Sequence, residues 1–222
     1  MFSESNHSYI VNSLSTSEPW RIFRIMAEFV EAIEEMSQIP PGVSVFGSAR
    51  TRPEDPMYQL AVQLGQLIVR NGYSVITGGG PGIMEAANRG AFEAKGHSVG
   101  LCIELPREQT TNAYLTTQLI FRHFFVRKVM FVRYARAFIG VPGGYGTMDE
   151  LFECLTLIMT RKIRPFPVIL LSRQYWGGLL DWMKSVMVKQ GMIDPAEFDF
   201  IQVVETPEEA MRIILSYYPP ES

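Results

Sequence analysis

The sequence has little cysteine, little excess charge and no long apolar run. Cysteine occurs twice in 222 residues, at Cys102 and Cys154, and both lie inside apolar segments, which predicts buried thiols. The formal net charge of -3 leaves no extended basic surface for nucleic acid. No apolar run approaches the roughly 20 residues that span a bilayer. The sequence therefore predicts that neither nucleic acid nor a membrane is a partner.

Targeting and metal patterns are also missing. The polar N-terminus, Met-Phe-Ser-Glu-Ser-Asn-His, lacks the basic and then apolar pattern of a secretory signal, so we expect a cytoplasmic protein with reduced thiols. The three histidines, His7, His97 and His123, have no ligand spacing with the two cysteines, so no metal site is expected. Because the chain has no extended basic surface, an anionic ligand would have to be bound by a few residues at one site.

What is present is a regular alternation of short apolar runs with helix-like segments. Residues 1–17 are rich in Ser and Asn without apolar periodicity, which predicts a mobile arm before a single domain at 18–222. Strands are predicted at 43–46, 74–76, 98–101, 137–141 and 167–171. Helices are predicted near 20–36, 57–71, 82–95, 123–135, 147–161, 175–190 and 207–217. This order is typical of an α/β domain, a doubly wound Rossmann-like parallel sheet with helices on both faces and ligands at the carboxyl ends of the strands.

Glycine-bearing turns follow three of the predicted strands, at 47–50, 77–85 and 141–150. In the last turn Gly143, Gly144 and Gly146 carry no side chains, so backbone N–H groups can approach an anion at the start of the next helix. The first turn lacks the dinucleotide fingerprint, and no Gly-Lys-Ser or Gly-Lys-Thr follows any of the turns. A phosphate-bearing ligand is therefore expected, while NAD chemistry and nucleoside triphosphate hydrolysis are disfavoured.

Three segments together carry a resemblance to a known family. They are Gly78-Gly-Gly-Pro-Gly-Ile-Met-Glu-Ala-Ala-Asn88, Arg127-Lys128 and Pro142-Gly-Gly-Tyr-Gly-Thr-Met-Asp-Glu150. With them the chain resembles the Lonely Guy family from about residue 40 to 217. The resemblance implies a nucleotide phosphoribohydrolase without a cofactor. Such an enzyme cuts the N-glycosidic bond of a nucleoside 5′-monophosphate, of the AMP or cytokinin riboside type, to give a free base and ribose 5-phosphate.

Many members of the family were once labelled lysine decarboxylases. The sequence does not support that activity, because no lysine lies in a recognisable setting for pyridoxal phosphate. The resemblance implies instead a catalytic pair, Arg127 and Glu150. Breaking a C–N glycosidic bond builds positive charge on the ribose, so a carboxylate beside the anomeric carbon can stabilise the transition state or activate water. Arg127 can orient that carboxylate or contact the substrate.

Other side chains are candidates for holding the substrate. Backbone N–H groups and one hydroxyl would bind the phosphate, from Gly143, Gly144, Gly146 and Thr147. The resemblance suggests further contacts from Lys128, Glu108, Glu85 and Thr156. Ser48, in the turn after the first strand, is a further candidate for a substrate contact.

Simpler interpretations of two carboxylates stay open. Thr147 to Glu150 also matches a capping box, in which the carboxylate would only return to the Thr147 backbone N–H. Glu85 lies in the first turn of its helix, where a carboxylate that merely complements the helix dipole is the simpler interpretation.

The function itself is also open. A nucleotide or molybdenum-cofactor carrier of the same fold would need the glycines without the pairing of Arg127 and Glu150.

Two apolar helices predict an assembly. The segment 124–134 is apolar around nearly its whole circumference, and the first helix, at 20–36, is also rich in apolar residues. Apolar surface of this kind predicts a homo-oligomer, a dimer or an assembly of dimers. An arginine buried on the first of these helices, Arg127, would require an anionic partner.

Overall fold

The computed structural model describes residues 18–105 and 111–218, so the arm predicted at 1–17 lies outside the described residues. In the described ranges the chain forms a seven-stranded parallel sheet with helices on both faces, which confirms the predicted doubly wound α/β fold. The strands are β1 (Gly42–Phe46), β2 (Ser74–Thr77), β3 (Ser98–Ile103), β4 (Thr117–Phe121), β5 (Ala135–Gly140), β6 (Val168–Leu171) and β7 (Ile201–Val204). The helices are α1 (Glu18–Ser37), α2 (Pro56–Arg70), α3 (Ile83–Glu93), α4 (Phe124–Arg133), α5 (Tyr145–Met159), α6 (Arg173–Trp182) and α7 (Pro207–Tyr217).

The order of the strands creates a binding crevice. The order is β4-β3-β2-β1-β5-β6-β7, and all neighbouring strands are parallel. The chain builds outward from β1 to β4 and then returns to place β5 on the other side of β1. Phe46 and Gly140, the last residues of β1 and β5, are register partners. The helices that follow these two strands, α2 and α5, pack on opposite faces of the sheet, and a crevice is expected where the direction of the connections reverses in this way.

Two hydrophobic layers hold the helices against the sheet. One layer packs α1, α4, α5 and α6 on one face, and the other packs α2, α3 and α7 on the opposite face. Phe46 lies at the centre of the first layer, stacked on Phe138 with ring centroids 4.4 Å apart and edge-on to Phe131 at 4.7 Å. These aromatic contacts fix the end of β1 against α4, and so position the helix that carries Arg127.

Three departures from the predicted elements concern edges and ends. The apolar pattern does not reveal β4, whose residues mostly alternate between half-buried and exposed, nor β7, where only Val204 is buried. Both are edge strands, where one flank meets no neighbouring strand and the continuous apolar run of a central strand is not required. The helix predicted at 175–190 ends at Trp182, and the chain continues as a π-helical turn, Met183–Val188.

The first helix is only partly covered by the domain. Ala32 and Met36 are buried in the core, whereas Phe23, Met26 and Val30 on a neighbouring stripe are 61%, 55% and 62% exposed. The helix therefore has a wide apolar face of which about half packs against the domain. No helix within residues 18–105 and 111–218 has the length and apolarity needed to cross a membrane.

Candidate active site

The three glycine-bearing turns meet over the crevice between β1 and β5. Ser48 in the first turn donates its N–H to Pro142 O in the third at 3.0 Å. Ile83, which begins α3 after the second turn, donates its N–H to Ser48 O at 3.0 Å. These backbone hydrogen bonds tie the turns together along one wall of an open cleft of about 740 Å³. A cleft of this size accommodates a small ligand such as a mononucleotide.

Close backbone approach requires glycine at two positions beside the cleft. Gly82 has a φ of +70°, and a Cβ there would lie 2.3 Å from Ser48 O. A Cβ at Gly143 would lie 2.1 Å from Thr147 Oγ1 and 3.0 Å from the backbone carbonyl carbon of Gly47 in the first turn. Side chains at either position would force the turns apart, so these glycines maintain the shape of the cleft.

Two other glycines leave open space for a ligand. Gly144 and Gly146 line the cleft, and no heavy atom of the described residues lies within 4 Å of the position that a Cβ would take there. Gly144 is the N-cap residue of α5, and Gly146 is the second residue of that helix. The first N–H groups of a helix have no partners within the helix and lie at the positive end of its dipole. This end of the cleft is therefore suited to an anion such as phosphate.

The start of α5 tests the capping-box interpretation of Glu150. Because Gly144 is the N-cap residue, Thr147 lies inside the helix, and its N–H is bonded to Gly144 O at 3.0 Å. The capping-box interpretation is therefore wrong, since it required Thr147 to precede the helix. The Glu150 side chain is buried and is directed toward two cations on α4.

Arg127 and Lys128 are those cations. Arg127 Nη2 lies 3.8 Å from Glu150 Oε1, and Lys128 Nζ lies 3.8 Å from Glu150 Oε2. Lys128 Nζ is closer to two other carboxylates, at 2.8 Å from Asp149 Oδ2 and 2.6 Å from Glu153 Oε2. Lys128 is therefore held mainly by the acidic surface of α5, while Arg127 faces Glu150 at the cleft.

Burial dominates the electrostatics of this cluster. It raises the pKa of Glu150 to about 7, although the charges of Lys128 and Arg127 act in the opposite direction. Burial also lowers the pKa of Arg127, which nearby Glu150 partly offsets. For Lys128, burial lowers the pKa, but hydrogen bonds to Asp149 and Glu153 outweigh it, so the net shift is upward. A carboxyl group that titrates near neutral pH can gain and lose a proton during catalysis.

Arg127 carries a donor that the described protein atoms leave unused. Its Nε is buried and has no hydrogen-bond partner among the described residues. The guanidinium carbon lies 5.1 Å from the centroid of the Phe124 ring and 5.6 Å from that of Phe131, within range of cation–π attraction. Buried donors are normally satisfied. The Nε itself is closed off from the cleft, so a ligand in the cleft would meet another part of the Arg127 side chain, which lines it.

The other predicted contacts fall in different places. Ser48 lines the cleft, and its Oγ accepts a hydrogen bond from Arg50 N–H at 3.0 Å. Glu85 accepts a hydrogen bond from the buried Tyr58 hydroxyl at 2.8 Å and is not among the described residues that line the cleft. Glu108 lies outside the described residues. Of these three, only Ser48 is brought to the cleft by the described structure.

Thr156 lies farther along α5. Its hydroxyl donates to Phe152 O at 2.7 Å, within the same helix. It lines a separate surface groove that it shares with Lys128 and Glu153. Within the described structure, Thr156 is therefore a neighbour of the acidic surface of α5 and does not line the cleft.

An apolar wall of the cleft is a feature that the sequence reasoning did not identify. Met84, Ile103, Leu105 and Phe124 form it. Ile103 and Leu105 come at and just after the end of β3, so the rule that ligands bind at the carboxyl ends of strands would have indicated them. The lining of the cleft thus combines the glycine-bearing start of a helix with apolar side chains, a combination that suits a nucleotide.

A buried polar network supports the second glycine turn. Thr77 Oγ1 donates to Asn88 Oδ1 at 2.5 Å and accepts a hydrogen bond from Gly79 N–H at 3.0 Å. Asn112 Nδ2 donates to the same Asn88 oxygen at 3.0 Å and to Gly80 O at 3.1 Å. Asn88 is fully buried, so its role in the described structure is to hold this turn.

A family model and curated proteins match the part of the chain that forms most of the cleft. The family described as "possible lysine decarboxylase" matches residues 84–214, a range that contains Arg127 and Glu150. A probable cytokinin riboside 5′-monophosphate phosphoribohydrolase of Oryza sativa subsp. japonica is 34% identical over 168 residues. The match covers 73% of this chain and 67% of that protein.

Solved structures share the fold over most of the chain. The X-ray structure of TM1055 is 28% identical, with a TM-score of 0.60, over 79% of this chain and 98% of that one. A molybdenum cofactor binding protein from the phototrophic bacterium Rippkaea orientalis is 26% identical, with a TM-score of 0.58, over 79% of this chain and 94% of that one. The relatives thus include both a protein named as a hydrolase and a protein named as a binder.

Proposed function

The chain belongs to the Lonely Guy family of phosphoribohydrolases, and on that basis we propose that it hydrolyses nucleoside 5′-monophosphates, of the AMP or cytokinin riboside type, to a free base and ribose 5-phosphate. The observation that carries this proposal is the position of Glu150. It is a nearly buried carboxylate with a pKa of about 7, beside Arg127 and about one helical turn beyond Gly146. A protein that only binds phosphate has no need of a carboxylate in that place.

The phosphate would be bound at the start of α5. Backbone N–H groups at Gly143, Gly144 and Gly146 and the Thr147 hydroxyl would hold it, beside the open space that Gly144 and Gly146 leave in the cleft. Phosphate does not react in this hydrolysis. Its binding energy fixes the ribose relative to Glu150, which turns a remote contact into rate.

The ribose would then lie between Glu150 and Arg127. The C1′–N bond breaks and its electron pair leaves on the base nitrogen, while the oxygen of a water molecule forms the new bond to C1′; of the two water protons, one stays on the new hydroxyl and the other ends on the base. Ionised Glu150 stabilises the positive charge that develops on the ribose or takes the proton from that water. Arg127 keeps Glu150 oriented and offers the part of its guanidinium that lines the cleft to a substrate oxygen. Water is the only co-substrate that this scheme requires.

The direct test is an assay for free base. Purified protein is incubated with AMP, CMP and isopentenyladenosine 5′-monophosphate, and each mixture is separated by chromatography. We expect base and ribose 5-phosphate in equal amounts from at least one substrate, and strong loss of turnover in Glu150→Gln with phosphate binding retained. Turnover that survives Glu150→Gln would contradict the catalytic role of this carboxylate.

One observation favours a second candidate function. The molybdenum cofactor binding protein is 26% identical and has the same fold, so the cleft could hold a nucleotide or molybdenum cofactor without cutting it. The same assay separates the two candidates. Tight binding of a monophosphate with no release of base from any of the three would support the carrier and contradict the hydrolase.

A homo-oligomer is proposed from the exposed apolar surface of α1 and α4. Phe23, Met26 and Val30 on α1, and Phe125 and Val129 on α4, are all between 45% and 62% exposed. Apolar surface of this extent on one side of a domain is typical of an interface, and a second copy of the chain would cover it in a dimer or in an assembly of dimers. Light scattering should give at least twice the monomer mass, and Met26→Glu combined with Val30→Glu should reduce it.

We also propose that the protein acts in the cytoplasm. Cys102 and Cys154 are both free and buried, as in proteins kept in a reducing compartment. Cell fractionation with an antibody against the chain tests this location, and recovery with a secreted fraction would contradict it.

A further inference from the structure

The start of α4 is held by a residue of another helix. The N-cap residue, His123, makes no side-chain capping hydrogen bond. The carboxylate of Glu28 on α1 instead binds the segment that enters the helix, because it accepts hydrogen bonds from the N–H groups of Arg122 and His123 at 3.3 Å. His123 Nδ1 also lies 3.0 Å from Glu28 Oε1. A carboxylate at a helix N-terminus satisfies free N–H groups and complements the dipole.

The same helix holds the other end of α4. Tyr134 is the C-cap residue of α4, and its hydroxyl donates to Ile33 O of α1 at 3.2 Å. The Glu28 and His123 side chains are only 12% and 11% exposed, so this contact is shielded from solvent. Two turns of α1 thus fasten both ends of the helix that carries Arg127.

Arg127 needs support of this kind. Its contact with Glu150, at 3.8 Å, is too long for a hydrogen bond, and its Nε has no partner among the described residues. The position of the guanidinium therefore depends on where the helix backbone lies. Arg127 N–H is bonded to His123 O at 3.3 Å, which links Arg127 directly to the residue that Glu28 holds.

We propose that Glu28 is a positioning residue for the reaction, which holds the first turn of α4 so that Arg127 faces Glu150. The inference rests on the proposed function. The family match begins at residue 84, so α1, at Glu18–Ser37, lies outside the matched range. Through Glu28, a helix outside the matched range supports the catalytic pair.

The kinetic test compares three variants on α1. Glu28→Ala removes the acceptor, Glu28→Gln keeps a side-chain oxygen that can accept the backbone N–H groups, and Glu31→Ala removes an exposed carboxylate on the same helix as a matched control. We expect kcat of Glu28→Ala to fall by about tenfold to a hundredfold, the scale on which misplaced groups reduce catalysis, with KM within a factor of three. Glu28→Gln should recover most of the loss, and Glu31→Ala should match the unmodified chain.

Two further measurements distinguish positioning from general loss of stability. Amide hydrogen exchange should speed up at residues 123–127 in Glu28→Ala and not in Glu31→Ala. In an Arg127→Ala background, which has low residual turnover, adding Glu28→Ala should cause little further loss, because Glu28 acts through Arg127. Full additivity of the two losses, or an unchanged kcat in Glu28→Ala, would overturn the inference while leaving the hydrolase intact. If the unmodified chain releases no base from any monophosphate, the proposed function fails and the kinetic role of Glu28 fails with it. Unchanged amide exchange at residues 123–127 would overturn only the claim that Glu28 holds the start of α4.

Discussion

Arg127 Nη2 and Glu150 Oε1 lie 3.8 Å apart, and both side chains are nearly buried, at 14% and 6% exposure. The pair is close enough for charge attraction but too far apart for a direct hydrogen bond. Burial outweighs the attraction at the carboxylate, whose pKa is raised to about 7. The site therefore holds a carboxylate that is partly protonated at neutral pH, and both residues of the pair line the cleft.

The first prediction concerns the pH dependence of hydrolysis. If ionised Glu150 is the active form, base release at saturating substrate should rise with pH and level off above about 7, where the carboxyl has lost its proton. Initial rates with the best monophosphate, measured between pH 5 and pH 9, provide the test. A rate that stays flat or falls across this range would contradict a role for the carboxylate.

A neighbouring carboxylate provides the control for that midpoint. The negative charge of Glu153 raises the pKa of Glu150, and Glu153 also competes for Lys128. Glu153→Gln removes one negative charge and frees Lys128 to approach Glu150. Both effects lower the pKa of Glu150, so the midpoint of the pH profile should move to lower pH.

The second prediction concerns stability. The folded protein binds a proton at Glu150 up to a pH of about 7, whereas the carboxyl of the unfolded chain loses it near the ordinary value of 4.5. Between these values the unfolded state binds fewer protons, so the free energy of unfolding should decrease as pH rises. Glu150→Gln abolishes this decrease. Its urea midpoint should change less between pH 4.5 and pH 8 than that of the unmodified chain.

An equal decrease in both proteins would show that other groups cause it. Glu153→Gln is the matched control here as well, because it lies on the same helix and leaves Glu150 able to titrate. That variant should keep the loss of stability with rising pH, at a slightly lower midpoint.

The third prediction concerns the guanidinium of Arg127. Phe124 and Phe131 lie at 5.1 and 5.6 Å from it, positions that suit a planar cation. Arg127→Lys keeps the charge but loses the planar fork and the Nε donor, so kcat should fall by about a hundredfold, the usual cost of losing one transition-state donor. Ribose 5-phosphate should still bind, as calorimetry can measure, because the glycine turn is untouched.

A lysine variant with nearly full turnover would contradict that account. It would mean that Arg127 contributes only positive charge near Glu150. Lys128→Ala is the comparison, because it removes the neighbouring cation but leaves the guanidinium in place, and it should reduce kcat less than Arg127→Lys does.

The central part of the fold and one half of the site could be predicted from the sequence. The strands beside the crevice are continuous apolar runs, which indicate a parallel sheet. The glycine turn before Glu150 can be recognised from its local sequence, because its glycines lie between an apolar strand and a helix. The edge strand β4 could not be recognised, because Ile120 is exposed and the run alternates as a surface segment does. The capping box was misleading for a local reason, since the helix starts at Tyr145 and not after Thr147.

Contacts between distant segments account for the rest. Glu28 meets the start of α4 over 94 residues along the chain, and Asn112 meets Asn88 over 24. No local sequence pattern predicts either contact, because each of these side chains is an ordinary polar residue within its own segment. Only the packing of α1 against α4, and of the loop before β4 against α3, brings these groups together.

The last prediction separates the two kinds of glycine in the turn at α5. A Cβ at Gly143 would meet Thr147 Oγ1 at 2.1 Å, whereas no heavy atom of the described residues lies within 4 Å of a Cβ at Gly144 or Gly146. Gly143→Ala should therefore lower the melting temperature, since the turn must shift. Gly146→Ala lies inside the helix and should leave stability equal or higher, because alanine favours helix by about 0.5–1 kcal/mol over glycine.

The variants that are expected to keep the protein stable are the ones that should weaken ligand binding. Gly144→Ala and Gly146→Ala each place a methyl group at the bare part of the cleft where phosphate would lie, so both should weaken ribose 5-phosphate binding while the protein stays folded. Thermal melts and calorimetric titration on the same samples give both quantities. Unchanged affinity in the two folded variants would mean that the phosphate does not lie against the start of α5, and the ligand would then have to be placed elsewhere in the cleft.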